Sequence, residues 1–157
     1  MARRPNGPSR CGVNTDPSER SSRGRTGVDP PVVLVVEDER PLAELLAWLV
    51  EELGYTPVVA SHGRQALELA RERLPALVLT DLMMPYLDGA GLAAALRAAA
   101  AKDGRDAPPI LLITAADSAA AERVGANAVL HKPFDLDQMA RLLGRYLGSP
   151  AGYEDAR

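Results

Sequence analysis

Residues 76–89 read ALVLTDLMMPYLDG, and this stretch decides the fold. Ala76 to Thr80 is a short run of strand-forming residues, set off from the helical spacing before it by Pro75. Asp81 stands directly after the run, and helical spacing resumes at Gly89. A strand, an acid at its carboxyl end and a helix behind it make one βα unit, and units of the same kind lie on both sides.

Upstream, Val32 to Val36 is the continuous apolar run that a central parallel strand needs. Leu42, Leu45, Leu46, Leu49, Val50 and Leu53 follow at helical spacing behind Pro41, and Gly54 ends that helix as a C′ residue. A second strand is predicted over Thr56 to Ala60 and a second helix over Gly63 to Arg73. Downstream, a helix runs from Gly89 to about Ala101, a polar loop from Lys102 to Pro109, and a strand from Ile110 to Ile113. A shortened fourth helix near Ser118 to Val124, a fifth strand over Ala128 to His131, and a last helix with a buried stripe of Leu136, Met139, Leu143 and Leu147 complete ten elements. Strands and helices alternating in this way predict an α/β domain on a doubly wound parallel sheet.

A chain of 157 residues with 46% hydrophobic and 25% charged content is the size of one domain with a real core. Residues 1–31 are rich in Pro, Gly, Ser and Arg and carry almost no large apolar side chain, so they are expected to be a disordered basic tail. That tail is either inert or an arm that touches nucleic acid or membrane. Residues 148–157 are expected to be a flexible C-terminal tail, which leaves 32–147 as the domain and no room for an output domain.

The net charge of −3 is unevenly spread. Residues 1–31 carry six Arg against Asp16, Glu19 and Asp29, whereas 32–157 carry twelve bases against eighteen acids. An acidic folded part argues against direct nucleic-acid binding. The N-terminus lacks an apolar core of signal-peptide type, and Arg97 interrupts the alanine-rich run from Ala90 to Ala101 well short of a membrane span, so a soluble cytoplasmic protein is expected. Cys11 is the only cysteine, so no intrachain disulfide can form, and it reads as incidental.

In a parallel sheet all strands end at one edge, and ligands bind in the crevice beyond it. Glu37 and Asp38 follow the first strand, Asp81 the third, Thr114 the fourth, and Lys132 with Pro133 the fifth. Each has an ordinary explanation alone: an acidic pair at a helix N-terminus, a capping acid, a β-favouring threonine, a solvated lysine. Together they place three carboxylates, a hydroxyl and an ammonium at one edge. Crowded carboxylates raise one another's pKa unless a cation shares the site, and all-oxygen ligation suits Mg²⁺.

The segments VVLVVEDERPLAELL (32–46), LVLTDLMMPYLDG (77–89), LLITA (111–115) and VLHKPF (129–134) resemble, in this order, the signature segments of two-component response-regulator receiver domains. The resemblance covers roughly residues 32 to 147. It implies a flavodoxin-like (βα)5 fold with strand order 2-1-3-4-5, as in the chemotaxis member of this family that serves as a standard example of that order. It also implies that Asp81 is the nucleophile that takes a phosphoryl group from a sensor histidine kinase, a phosphotransfer protein or a small donor. Asp38 and Asp81 would ligate Mg²⁺, with the Met83 backbone carbonyl beside them and Glu37 acting through water or as an outer ligand. Thr114 and Lys132 would each meet a phosphoryl oxygen, and the response would spread to the surface formed by the fourth helix, fifth strand and fifth helix. The chain would then be a single-domain response regulator, not an enzyme with turnover, that signals to a downstream protein.

Several positions depart from the family pattern. Glu37 stands where an aspartate is usual, and Val129 where an aromatic residue usually rotates with the threonine. Tyr86 occupies a turn position that suits Gly or Asn. The interval from Thr114 to Lys132 is about one helical turn short. Met83 and Ala116 replace polar side chains that hold the attacking water in some relatives, so slow self-dephosphorylation is expected. These departures keep open a phosphorylation-independent docking module of the same fold. A phosphohydrolase using Asp81 would want a second acid at the position of Met83. His62 and His131 are expected to be a surface polar residue and a strand-end residue.

Overall fold

The structure is a computed structural model, described here for residues 29–148. The expectations for the N-terminal tail up to residue 28, for Cys11 and for residues 149–157 fall outside the described residues.

Five strands, β1 (Val32–Val36), β2 (Thr56–Ala60), β3 (Leu77–Asp81), β4 (Ile110–Thr114) and β5 (Ala128–His131), form one parallel sheet in the order β2-β1-β3-β4-β5. They alternate with α1 (Arg40–Glu52), α2 (Gly63–Glu72), α3 (Gly89–Lys102), α4 (Ser118–Val124) and α5 (Leu136–Leu147). The predicted fold class, strand order and short α4 are all present. Two ends differ in a way that matters: β3 extends through Asp81 and β4 through Thr114, so both residues are the last of a strand rather than the first of a loop.

The sheet is covered on both faces, which explains why its central strands are apolar on both sides up to their carboxyl ends, where Thr80, Asp81 and Thr114 stand. Val33 and Val35 of β1 face a cluster with Leu46, Val50, Leu79, Leu111, Met139 and Leu143, the side of α1 and α5. Leu34 and Val36 face the opposite cluster with Ala66, Val78, Leu92, Leu96, Leu112, Ala121 and Val124, the side of α2, α3 and α4. Val129 is half-buried against this second cluster.

Two helical stripes differ from expectation. In α1 the buried positions are Ala43, Leu46, Leu49 and Val50, while Leu45 is 46% exposed. A helix whose inward face is centred on Ala43, Leu46 and Val50 turns position 45 away from the sheet. In α5 Met139 and Leu143 are buried with Leu142, Tyr146 and Leu147 packed beside them, but Leu136 is 52% exposed. Leu136 opens the helix, and a side chain in the first turn leans toward the N-terminus and so away from the core.

Four of the five helices start where polar caps satisfy their free amides, and α1 instead carries Pro41 in its first turn. His62 Nδ1 accepts from Gln65 N in α2, Asp88 from Gly91 N in α3, Asp117 from Ala120 N in α4, and Asp135 forms a capping box with Gln138 in α5. Gly54 has φ 86°, as a residue just past a helix end should.

Candidate functional site

The register of the sheet assembles the site. Val36 pairs with Thr80, Asp81 with Ile113 and Thr114 with His131, so Glu37, Asp81, Thr114 and Lys132 stand at or one step past the same edge. The backbone locks this arrangement: Glu37 N donates to Ala60 O at 3.0 Å, and Lys132 N to Thr114 O at 2.9 Å. The Lys132–Pro133 peptide is cis.

Asp81 is 8% exposed and both of its oxygens are occupied. Oδ1 accepts from Met83 N at 3.0 Å, and Oδ2 accepts from Lys132 Nζ at 2.7 Å. The ammonium also lies 3.8 Å from Glu37 Oε2, so two carboxylates share one cation. Burial works to lower the pKa of Lys132, but its hydrogen bond to Asp81 and the charges of Asp81, Glu37 and Glu39 outweigh it and hold the ammonium above its ordinary value.

Glu37 is 2% exposed. Its Oε1 accepts from Glu39 N at 3.1 Å, whereas the buried Oε2 has no hydrogen-bond partner. Burial pushes its pKa up, with the Asp81 charge and the Asp38 side chain adding to the rise, against the Glu39 amide and Lys132, which pull it down. Asp38 is exposed at the rim. Thr114 is fully buried, and its hydroxyl accepts from Ala116 N at 3.0 Å, so it is turned toward its own loop.

The structure therefore brings Glu37, Asp81 and Lys132 into contact range, leaves Asp38 beside them at the surface, and holds Thr114 at the edge with its hydroxyl engaged locally. Met83 approaches through its backbone, as an amide donor to Asp81, while its side chain is 72% exposed. Among the described residues no three acidic, histidine or cysteine side chains already stand at metal-binding spacing. The donor set nevertheless fits a hard divalent cation. It is all oxygen, and a buried carboxylate oxygen without a partner is the group such an ion would satisfy.

The turn between Asp81 and α3 is tightly built. A Cβ on Gly89 would stand 2.5 Å from Asp81 O, so only glycine lets α3 start this close to the strand end. Thr80, which sequence reasoning did not single out, is buried and donates its hydroxyl to Asp81 O at 3.0 Å. Tyr86 takes φ 69°, lies 91% exposed and meets His62 edge-on at 6.3 Å between ring centroids. His62 is thus a helix cap as well as a surface residue, and His131 is exposed at the end of β5.

Comparison with known proteins gives consistent results. The family described as the response regulator receiver domain matches residues 33–143. The response regulator MprA of Mycolicibacterium vanbaalenii is 39% identical over 115 residues, which are 70% of this chain and 47% of that protein. The chain thus spans about half the length of this curated relative. The Vibrio cholerae chemotaxis protein CheY4 aligns with a TM-score of 0.67 at 27% identity, covering 75% of this chain and 99% of that one. The receiver domain of the Pseudomonas aeruginosa sensor histidine kinase PA1611, solved with a magnesium ion coordinated in its active-site cleft, aligns with a TM-score of 0.66 at 27% identity over 76% of this chain and 99% of its own.

Proposed function

The chain belongs to the response regulator receiver domain family, and on that premise we propose that Asp81 accepts a phosphoryl group in a Mg²⁺-dependent reaction. The observation that carries this reading is the buried cluster at the sheet edge. Asp81 stands 2.7 Å from Lys132 Nζ, beside a buried Glu37 whose Oε2 lacks a hydrogen-bond partner.

The donor is the phosphohistidine of a sensor histidine kinase or a phosphotransfer protein. A carboxylate oxygen of Asp81 forms the new O–P bond while the P–N bond breaks, and its electron pair leaves with the imidazole nitrogen. Such a transfer asks the protein mainly to align groups and to neutralise the phosphoryl oxygens. Lys132, already held at Asp81, supplies one positive charge by moving its hydrogen bond from the carboxylate to a phosphoryl oxygen. Glu37, Asp38, Asp81 and the Met83 carbonyl would hold Mg²⁺, which when bound neutralises charge at this edge. Thr114 then exchanges its contact with Ala116 N for one in which its hydroxyl donates to a phosphoryl oxygen.

The consequence is a change of surface for a downstream protein partner rather than turnover of a substrate. The acidic composition of residues 32–157 speaks against nucleic acid as that partner. Among the described residues no helix is long and apolar enough to cross a membrane.

The test is intact mass after incubation with Mg²⁺ and acetyl phosphate, for the native chain, for Asp81→Asn, and with a chelator. Addition of one phosphoryl group, lost in the variant and in the chelator, is the expected result. No addition to folded protein that binds Mg²⁺ would overturn the reading in favour of a phosphorylation-independent docking module, the alternative that Val129 and the seven-residue α4 favour.

A further inference from the structure

The two ends of α4 are held very differently. A helix leaves its last carbonyls without partners of its own. Here the guanidinium of Arg97, reaching from α3, donates Nη1–H to Val124 O at 2.8 Å and Nη2–H to Gly125 O. Gly125 turns into the left-handed region with φ 65°, and its Cβ position faces this guanidinium at 3.7 Å. The next residues are pinned as well: Asn127 N donates to Ile110 O at 2.8 Å, Ile110 N to Asn127 Oδ1 at 2.9 Å, and the Tyr146 hydroxyl of α5 to Asn127 O at 2.8 Å. Three separate elements, α3, β4 and α5, thus grip residues 124–127, and Ala121 and Val124 are buried beneath them.

At the other end the side-chain hydrogen bonds among the described residues are local. Asp117 caps Ala120 N at 2.9 Å, and Ala116 N donates to the Thr114 hydroxyl at 3.0 Å. Ala115 is exposed. Among the described residues the one side-chain hydrogen bond between this loop and the sheet edge is that of Thr114, with the small Ala116 and Ala120 half-buried against the core.

We propose that Arg97, with Asn127 and Tyr146, makes the C-terminal end of α4 a fixed hinge, so that a rearrangement starting at Thr114 swings the N-terminal end of the helix alone. Charge-assisted bonds to two otherwise unpartnered carbonyls are strong, and breaking them would leave a half-buried guanidinium and two carbonyls to be resolvated. The Thr114–Ala116 contact is a single neutral hydrogen bond and gives way first. Arg97 is a positioning residue: it acts through α4 on the loop that carries Thr114 and Ala116. With Val129 in place of a rotating aromatic, the hinge also says how a displacement at Thr114 becomes a surface change, by a tilt of one short rod about its far end. The hinge exists without any phosphoryl group, and only its use as a signal rests on the proposed function.

Amide hydrogen exchange resolved by NMR tests this on the full chain. Without Mg²⁺ or donor, amides at 122–127 should exchange about tenfold more slowly than those at 115–120, the factor expected for one or two extra tertiary hydrogen bonds. Arg97→Ala should narrow that difference by speeding exchange at 122–125 while Asn127, β1 and β3 keep their protection, and Arg97→Lys, which retains charge but not the two-pronged geometry, should fall between. Equal protection at both ends of native α4 overturns the hinge. So does an Arg97→Ala variant that keeps the full difference, or one that loses protection evenly over the whole sheet.

With Mg²⁺ and acetyl phosphate, native exchange within 114–127 should change at 114–120 alone and in Arg97→Ala spread toward 125. A chain that gains no phosphoryl group by mass, yet shows the unliganded asymmetry, refutes the proposed function and leaves the hinge standing. A chain that gains the group and changes equally at both ends refutes the hinge.

Discussion

The two sides of Asp81 are built on opposite principles. On one side, the β1–α1 and β3–α3 turns are pressed against the strand ends: Glu37, Leu82 and Met84 are buried, Gly89 N donates to Leu82 O at 3.0 Å, and Gly89 leaves no room for a side chain against Asp81 O. On the other side, the β4–α4 loop leaves a buried Thr114 for exposed Ala115 and Asp117, with only the small side chain of Ala116 half-buried between them and its amide on the Thr114 hydroxyl. Under the proposed function the difference has a use: backbone packing fixes Asp81 and its neighbouring acids, while the loop that would carry a response outward is held by a bond weak enough to exchange. A cradle must not move when a group is added to it, and a signal must.

The largest expected effect comes from attacking the rigid side. Gly89→Ala places a methyl against a backbone carbonyl that cannot rotate away, so the whole turn must shift. Urea unfolding should show a loss of about 2 kcal/mol or more, the range for overpacking at a site that cannot relax. A loss under about 0.5 kcal/mol, typical of an unconstrained surface position, would mean that this side is as pliable as the other.

Glu37→Gln probes the same side through charge. Burial raises the Glu37 pKa, so the native state binds its proton more tightly than the unfolded chain does. The carboxylate therefore weakens the fold as pH rises past the ordinary value of 4.5 and does so fully above the raised one. In a chelator at neutral pH the glutamine variant should melt higher than the native chain, with the advantage vanishing below the ordinary carboxylate range. Saturating Mg²⁺ should reverse the order, because only the carboxylate rewards the ion. A variant that melts lower in the chelator at neutral pH would show that Lys132 already compensates the buried charge.

Much of this contrast could be read in the sequence, and the limits have physical reasons. The strands were legible because a sheet covered on both faces leaves no polar alternation in Val32–Val36 or Ile110–Ile113. The acids and Lys132 were legible because parallel strands deliver whatever follows them to one edge. What side chains do once delivered was not. Nothing local says that the Thr114 hydroxyl turns to Ala116 N rather than outward, or that Lys132 bridges Glu37 and Asp81. Arg97 read only as an interruption of an alanine run, because its partners at Val124 and Gly125 lie 27 and 28 positions away. Leu45 was misplaced because a leucine-rich stretch fits several helical faces, and only packing against the sheet selects the one centred on Ala43 and Leu46.

The mobile side is tested by Thr114→Val, which keeps the shape of a fully buried side chain and removes the acceptor for Ala116 N–H. Global stability should fall by about 1 kcal/mol or less, the net worth of one neutral hydrogen bond. Exchange at the amides of 115–117 should rise by more than that global loss accounts for. A uniform rise across the sheet would instead place Thr114 in the rigid half of the comparison.

The smallest effect is expected where the rigid side carries its one visible strain. Tyr86 adopts φ 69°, a conformation that costs a residue with a Cβ about 1–2 kcal/mol and that Asn tolerates better. Its ring recovers little, since it is 91% exposed and meets His62 edge-on. An edge-to-face aromatic contact is worth about 0.5–1.5 kcal/mol when buried and less in water, so it offsets part of the strain and not all of it. Tyr86→Asn should therefore raise the urea midpoint slightly, by about 0.5 kcal/mol, with phosphoryl uptake from acetyl phosphate unchanged because the ring touches neither Asp81 nor Lys132. A loss of stability would show that the aromatic contact outweighs the backbone strain, and the turn would then be pinned from outside by His62 as well as from beneath by Gly89.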